Sequence, residues 1–379
     1  MSDTQKNKKL NVPNLRFPGF EGEWKQYTMG ELTELFSRRN KKRINFPMFS
    51  VTNSRGFVNQ QEQFENREMK GEDIAAYKII SPGEYAYNPA RINVGSIARY
   101  NGDSDCMISS LYVCFKAKKE LVDSQLLLHI LKSPKMVYNY GINGEGGVRI
   151  YLFYPNFARI RVKLPGLDEQ KKIASFLDVL EKRIEIQNKV IEKYESLIKA
   201  LRHHIFSTID PEKEVTIADV LSYEQPTKYI VSDTEYSDNK DLTPVLTANK
   251  AFVLGYTEEV EGIYDKGPCI ILDDFTLDSK IVDFPFKVKS SAIKILSAKT
   301  SVRLRYIYEY LKFLDLNTEE HKRHYIAEIE PMTIGLPKNG IIQSIASLFD
   351  RIDQRRKGID RDLQLLKFQK DYLLQALFI

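Results

Sequence analysis

The sequence predicts a protein built twice over: a globular segment running into a long helix, then a second globule and a second helix. The strongest observation is that the tail repeats the middle. LPGLDEQKKIASFLDVL, from Leu164, returns as LPKNGIIQSIASLFDRI, from Leu336, at a constant offset of 172 residues and without a gap. Nine of 44 aligned positions are identical, among them Leu164/Leu336, Pro165/Pro337, Asp178/Asp350 and Phe206/Phe378. The second observation is a shared apolar phase, and the third is a set of matching segments in the two globules, in the same order.

Within the first copy, Leu177, Leu180, Ile184, Ile191, Tyr194, Ile198 and Leu201 recur at the three- and four-residue spacing of a coiled-coil seam. Phe349, Ile352, Ile359, Leu363, Leu366, Leu373 and Leu377 do the same in the second. Gln187, Arg356 and Lys370 interrupt the seams; such intrusions cost stability but fix register and partner choice. Helices of about 40 residues would reach about 60 Å. Pro165 and Pro337 precede them, Asp168 or Asn339 can cap them, and Gly358 is a weak point costing about 1 kcal/mol against Ala.

Between the globules, TMGEL at Thr28 matches TIADV at Thr216, and TNSRGFV at Thr52 matches TANKAFV at Thr247. ISSLYVCFKAK at Ile108 matches KSSAIKILSAK at Lys289, both alternating as strands do. The offsets differ, as insertion and deletion in a duplicated unit would leave them. The expected organisation is a mobile polar arm over 1–14, globules over 15–163 and 208–335, and helical segments over 164–207 and 336–379. The two units are expected to be related by pseudo-twofold symmetry.

A chain of 379 residues holds two cores, and 28% charged residues with 11% aromatics is ordinary for a soluble globular protein. No apolar run reaches the ~18 residues of a membrane span. MSDTQKNKKL lacks a signal peptide's apolar centre. Cys106, Cys114 and Cys269 form no CxxC pair, which suits a reducing cytoplasm and argues against structural zinc. Charge is uneven. Residues 1–163 carry 25 Lys+Arg against 16 Asp+Glu, a net +9, and residues 208–335 carry 15 against 23, a net −8. The first globule suits a polyanion; the second does so only where its basic residues gather on one face.

LRFPGFEGEWKQYTMGEL at Leu15 and LPGLDEQKKIASFLDVLEKRI at Leu164, with an EQxxIA element at Glu169, Gln170, Ile173 and Ala174, resemble the specificity subunits of type I restriction-modification systems. The resemblance spans essentially the whole chain. The second repeat departs from it, with Ile341 and Ile342 where Glu and Gln would stand. The resemblance implies mixed α/β (α+β) target recognition domains, each reading half of a split double-stranded DNA target. It implies two helices pairing as an antiparallel coiled coil that acts as a ruler. It further implies docking of two methyltransferase subunits and two motor-nuclease restriction subunits. The chain itself would carry no catalytic or metal site and bind no cofactor; S-adenosylmethionine, Mg and ATP would belong to the partners.

DNA contacts are expected first from SRRNKKR, where Arg38, Arg39, Lys41, Lys42 and Arg43 read as a phosphate-contacting loop or else a solvated turn. Arg91, Asn93 and Arg99, in a turn between strand-like runs, and Asn53 and Arg55 are candidate base readers, because Arg recognises guanine and Asn adenine in the major groove. Asn143 and Arg149 lie in a glycine-rich loop that is either DNA-facing or a plain connector. In the second globule the candidates are Lys228, Asn249, Lys250, Lys266 and Lys280. Lys322 and Arg323 either hold phosphate or face solvent.

Other chemistry fits poorly. Tyr87-Asn88-Pro89 lacks the second proline and aromatic of an amino-methyltransferase element. Asp273, Asp274 and Asp278 with Lys280 suggest a metal-dependent nuclease only loosely. His321 and His324 stand among basic neighbours. The competing readings are a coiled-coil adaptor that binds no DNA and a stand-alone metal-dependent nuclease.

Overall fold

In the computed structural model of the chain, the residues described are 11–60, 73–146, 150–248, 251–299, 302–316, 318 and 322–378. They form two compact units, one of residues 1–187 with 362–379 and one of residues 188–361.

The first unit opens with β1 (Lys25–Thr28), α1 (Met29–Leu32) and β2 (Thr33–Phe36), then the hairpin β3 (Phe49–Thr52) and β4 (Gly56–Asn59). β5 (Lys78–Ile80), β6 (Tyr85–Tyr87), β7 (Ile97–Arg99), β8 (Cys106–Ile108) and β9 (Val113–Ala117) follow. Then come α2 (Ser124–Leu131), α3 (Pro134–Asn143), α4 (Tyr154–Arg159), β10 (Arg161–Leu164) and the long α5 (Leu167–Thr208), which continues into the second unit. A capping box begins the fold: the Glu31 carboxylate accepts the Thr28 amide at 2.6 Å, and Thr28 Oγ1 accepts the Glu31 amide at 3.3 Å. It satisfies donors that a four-residue helix would otherwise leave open. β1 then pairs antiparallel with β10, Lys25 opposite Leu164. The central sheet is antiparallel, in the order β2-β9-β6-β7.

The second unit repeats this plan. β11 (Lys213–Thr216), α6 (Ile217–Val220) and β12 (Leu221–Glu224) lead to β13 (Thr243–Leu246), β14 (Val253–Thr257), β15 (Cys269–Asp273) and β16 (Ser279–Val282). β17 (Lys287–Val288), β18 (Ile293–Ala298), α7 (Leu304–Phe313), β19 (Thr333–Leu336) and α8 (Asn339–Leu377) complete it, α8 ending in the first unit. The Asp219 carboxylate accepts the Thr216 amide at 2.8 Å, as Glu31 does for Thr28. β11 pairs antiparallel with β19, Lys213 opposite Leu336, and the sheet order is β12-β18-β15-β16. Thr33 faces Ala117 in one sheet and Leu221 faces Ala298 in the other, so the strand-like segments matched in the sequence occupy equivalent strands. TNSRGFV and TANKAFV likewise both span hairpins, β3–β4 and β13–β14.

The long helices run antiparallel. Leu177 and Leu180 share the first unit's core with Leu366, Leu373 and Leu377, beside Trp24, Tyr85 and Phe115. Ile198, Leu201 and Phe206 pack in the second unit's core with Ile342, Ile345 and Phe349, beside Tyr306 and Ile217. The start of each helix therefore packs with the end of the other. Ile184, Ile191, Tyr194, Ile352 and Ile359 are half-buried, and Leu363 is buried, on the same faces. Among the described residues, no helix is long and apolar enough to cross a membrane.

Helix entry corrects the sequence reading. Leu164 and Leu336 end strands, and Asp168 and Asn339 lie inside the first helical turns instead of capping them. The carbonyls of Gly166 and Lys338 take the first helical hydrogen bonds, from the amides of Gln170 (3.0 Å) and Ile342 (3.2 Å). Asp168 still favours the positive end of the helix. α8 passes through Gly358 unbroken, and a Cβ there would meet nothing within 4 Å. Gly358→Ala should therefore stabilise the chain by about 1 kcal/mol, read as a rise in thermal unfolding midpoint with unchanged helix content by circular dichroism.

Candidate nucleic-acid interface

In the first unit two segments far apart in sequence meet at one edge. The hairpin tip is Asn53-Ser54-Arg55, closed by Thr52 Oγ1 accepting the Arg55 amide at 3.1 Å. The turn between β6 and β7 is held by its own hydrogen bonds. Asn88 Oδ1 accepts the Ala90 amide at 3.0 Å, and the Arg91 carbonyl accepts the amides of Val94 (3.2 Å) and Ser96 (3.1 Å). Ser96 Oγ donates to the Val51 carbonyl at 2.8 Å, fastening the turn to β3. Gly95 takes a left-handed φ of 92°, and a Cβ there would sit 3.6 Å from Asn53 Cβ. Asn53, Arg55, Arg91 and the half-buried Asn93 are thus brought together. Asn53, Arg55 and Arg91 are exposed and make no side-chain hydrogen bond or ion pair among the described residues.

The basic loop precedes the foot of the same hairpin. Asn40, fully buried, organises it by donating to the Ile44 carbonyl at 2.7 Å and accepting the Ile44 amide at 3.0 Å. Arg38 pairs with Glu84 and lies over the Phe36 ring at 4.9 Å. Arg43, at φ 51°, pairs with Asp73 at 2.9 Å. Arg39, Lys41 and Lys42 remain exposed cations without a side-chain partner among the described residues. A four-residue strand spans about 13 Å from foot to tip, close to the width of a major groove.

Other candidates lie elsewhere. Arg99, at the far end of β7 from the turn, donates to Gln125 Oε1 of α2 at 2.6 Å. Asn143 ends α3 and donates to the Asn139 carbonyl at 2.8 Å. Arg149, Asn249, Lys250 and His321 lie outside the described residues. In the second unit, Lys266 pairs with Glu224 at 2.6 Å, Lys228 is exposed on a short 3-10 turn, and Lys280 is a half-buried residue of β16.

The turn equivalent to 88–96 in the second unit is Asp274–Asp278, and the carboxylates of Asp273, just before it, and Asp274 are committed to the fold, whereas Asp278 is exposed. Asp273 Oδ1 accepts the amides of Phe275 (2.9 Å) and Thr276 (3.0 Å). Asp274, 1% exposed, accepts the amides of Tyr325 (2.7 Å) and His324 (3.1 Å) and pairs with Lys294 at 3.1 Å. His324 is buried against Glu328, its Nδ1 2.7 Å from Oε2, and Lys322 pairs with the same Glu328 at 2.8 Å. Arg323 reaches Ser291 Oγ at 3.4 Å. Tyr87 is wholly inside the core.

Sequence reasoning passed over a second group of polar residues, which join the helices to the globules. Arg16 donates to Glu169 through Nε (2.8 Å) and Nη2 (2.7 Å), the carboxylate being 3% exposed. Gln170 accepts the Asp123 amide at 2.8 Å and donates to the carbonyls of Leu121 (3.0 Å) and Pro165 (2.9 Å). The opening motif and the EQ element are therefore two halves of one joint. The repeat-identical aspartates do related work. Asp178 accepts from Gln125 Nε2 at 2.9 Å and lies 2.7 Å from His129 Nε2, both on α2. Asp350 accepts from Arg303, next to α7, at 2.8 Å. The identity of Asp178 and Asp350 on a polar helix face was the available signal. His129, Asp178 and Glu181 could together hold a metal ion, but Lys370 already stands 2.5 Å from Glu181. Burial pushes the Glu181 carboxyl up, and Lys370, His129 and Lys132 outweigh it, holding it below its usual range.

Arg16→Ala leaves the Glu169 charge buried and unpaired and should cost about 3 kcal/mol in urea unfolding. Arg16→Lys should recover part of that. Because Glu181 has a lowered pKa in the folded chain, its stabilisation is complete above the ordinary carboxylate pKa of about 4.3 and is lost as pH falls through the lower folded value. A Glu181→Gln variant should accordingly show a shallower loss of melting temperature between pH 5 and pH 3 than the parent.

Comparison with known proteins agrees with this architecture. Residues 21–196 match the type I restriction modification DNA specificity domain family. The EcoR124I/EcoR124II specificity subunit of Escherichia coli is 39% identical over 169 residues, 41% of this chain and 42% of that protein, so the alignment spans less than half of that relative. The MjaX specificity subunit of Methanocaldococcus jannaschii is 22% identical over 378 residues, covering 90% of this chain and 87% of that protein. The crystal structure of the S subunit from M. genitalium shares the fold end to end, with a TM-score of 0.63 at 14% identity over 97% of this chain and 99% of that one. Residues 21–196 thus resemble a type I restriction modification DNA specificity domain, and the whole chain shares the fold of the M. genitalium S subunit.

Proposed function

We propose that the chain is the sequence-specific DNA-recognition subunit of a type I restriction-modification complex and performs no chemistry itself. The observation that carries this is the edge of the first unit. Exposed guanidinium and amide groups from the hairpin tip and the 88–96 turn converge there on a rigid, self-hydrogen-bonded support, with uncompensated cations on the loop before the hairpin foot. A guanidinium forks onto guanine O6 and N7, and an amide onto adenine N6 and N7. Arg39, Lys41 and Lys42 would hold phosphate and set register without reading sequence.

In this reading residues 15–163 and 208–335 are two recognition domains for the halves of a bipartite target. The helical segments 164–207 and 336–379 set the spacing, as half-site geometry does in symmetric DNA-binding dimers. The partners are double-stranded DNA, two methyltransferase subunits and two restriction subunits in the cytoplasm. S-adenosylmethionine, Mg and ATP would be bound by those partners. The commitment of Asp273 and Asp274 to backbone amides and Lys294 weighs against the nuclease reading.

The test is single-molecule sequencing of adenine methylation in cells expressing the chain with its methyltransferase partner, against cells lacking the chain. Two short defined blocks around a fixed unspecified gap are expected. No new methylation despite a stable complex would favour an adaptor role. Arg91→Ala should weaken discrimination by about 1–3 kcal/mol at one position of one block and leave the other block intact. Equal loss at both blocks would make Arg91 a general phosphate contact.

A further inference from the structure

Val94 is an exposed aliphatic side chain on an edge that otherwise presents polar groups. It closes a 3-10 turn, Ile92–Val94, that begins at Arg91 and ends at the left-handed Gly95. Ile92 is fully buried and supplies the packing of this turn, whereas Val94 is 51% exposed. Its chain neighbour Gly95 is the residue that lies against Asn53, so the valine is bracketed by Arg91 on one side and the hairpin tip on the other. The hydrogen bonds of the turn and the Ser96–Val51 tie fix its direction before any ligand arrives.

An isolated exposed valine needs no explanation by itself. A rigidly held one between an arginine and an asparagine that have no side-chain partners among the described residues has a specific complement. Among the major-groove base edges, thymine alone presents a methyl group, and small apolar side chains are its readers. We propose that Val94 contacts the 5-methyl group of a thymine in the half-site read by the first unit, beside the base read by Arg91. This rests on the recognition function proposed above and adds to it one base identity, with a nonpolar contact in place of a hydrogen bond.

The experiment uses the full chain in complex with its methyltransferase partner. The half-site is defined as the block that Arg91→Ala relaxes. Duplexes carrying the cognate target are made with each thymine of that block replaced, one at a time, by uracil, which removes only the methyl group. One position should weaken binding roughly fivefold, the scale of one lost methyl contact. In the Val94→Ala and Val94→Ser complexes, thymine and uracil at that position should bind equally, while other positions keep the parent profile. Leu111→Ala, which removes another exposed aliphatic (72% exposed) on the turn between β8 and β9, should leave the penalty at that position unchanged. A half-site without thymine, a flat uracil profile, or a penalty that survives in both Val94 variants would overturn the proposal and leave the recognition function standing. A complex that prefers no duplex sequence would overturn both.

Discussion

Burial of the helix seams inside the globular cores is the constraint on which the remaining structure depends. Leu177, Leu180, Leu373 and Leu377 are not the seam of a free-standing coiled coil; they sit in one core with Trp24, Tyr85 and Phe115. At about 2 kcal/mol for each fully buried leucine, an upper estimate, the helix ends supply a large part of what holds each globule. The consequence runs both ways. The globule fixes the rotation of the helix about its axis, and the helix fixes where the sheet and the edge carrying Asn53 and Arg91 point. That candidate recognition edge is thus set by packing well away from it.

Charged joints refine what packing leaves loose. Arg16–Glu169 and the Gln170 network lock the start of α5, and the paired aspartates Asp178 and Asp350 engage polar groups beside the side helices of their own units. Lys370, a polar interruption of the seam, is neutralised by Glu181. Arg356 is neutralised by Asp353 (3.2 Å) and Asp360 (3.1 Å) on its own helix. Polar residues in an apolar seam are tolerable when each finds a partner, and Lys370, whose partner is on the other helix, penalises registers in which that partner is lost.

The duplication, the two helices and their apolar phase were legible in the sequence because periodicity and an ungapped repeat survive divergence. The matched segments TMGEL and TIADV prove to be capping boxes, Thr28/Glu31 and Thr216/Asp219 standing at the spacing that the reciprocal hydrogen bonds require. The helix starts were misplaced by a few residues, because the LP dipeptide closes a strand before it permits a helix. The candidate site was legible as residue types and only partly as a place. Nothing local in the sequence tells that Asn53 lies against Gly95, or that Arg99 turns away to Gln125. Nor could composition reveal that the Asp274 carboxylate is consumed by the backbone amides of Tyr325 and His324. Those facts depend on contacts between segments many residues apart.

The ribbons formed by β1 with β10 and by β11 with β19 carry a different implication. Each brings the first strand of a globule beside its last, with lysine facing leucine in both registers. The polypeptide therefore enters and leaves each globule at one doorway, and everything between the two strands is an excursion from that point. A segment with adjoining ends can be exchanged by recombination for another of different length while the doorway and the helix after it keep their geometry. Under the proposed function, new DNA preferences would then arise by cassette replacement, without rebuilding the scaffold residue by residue.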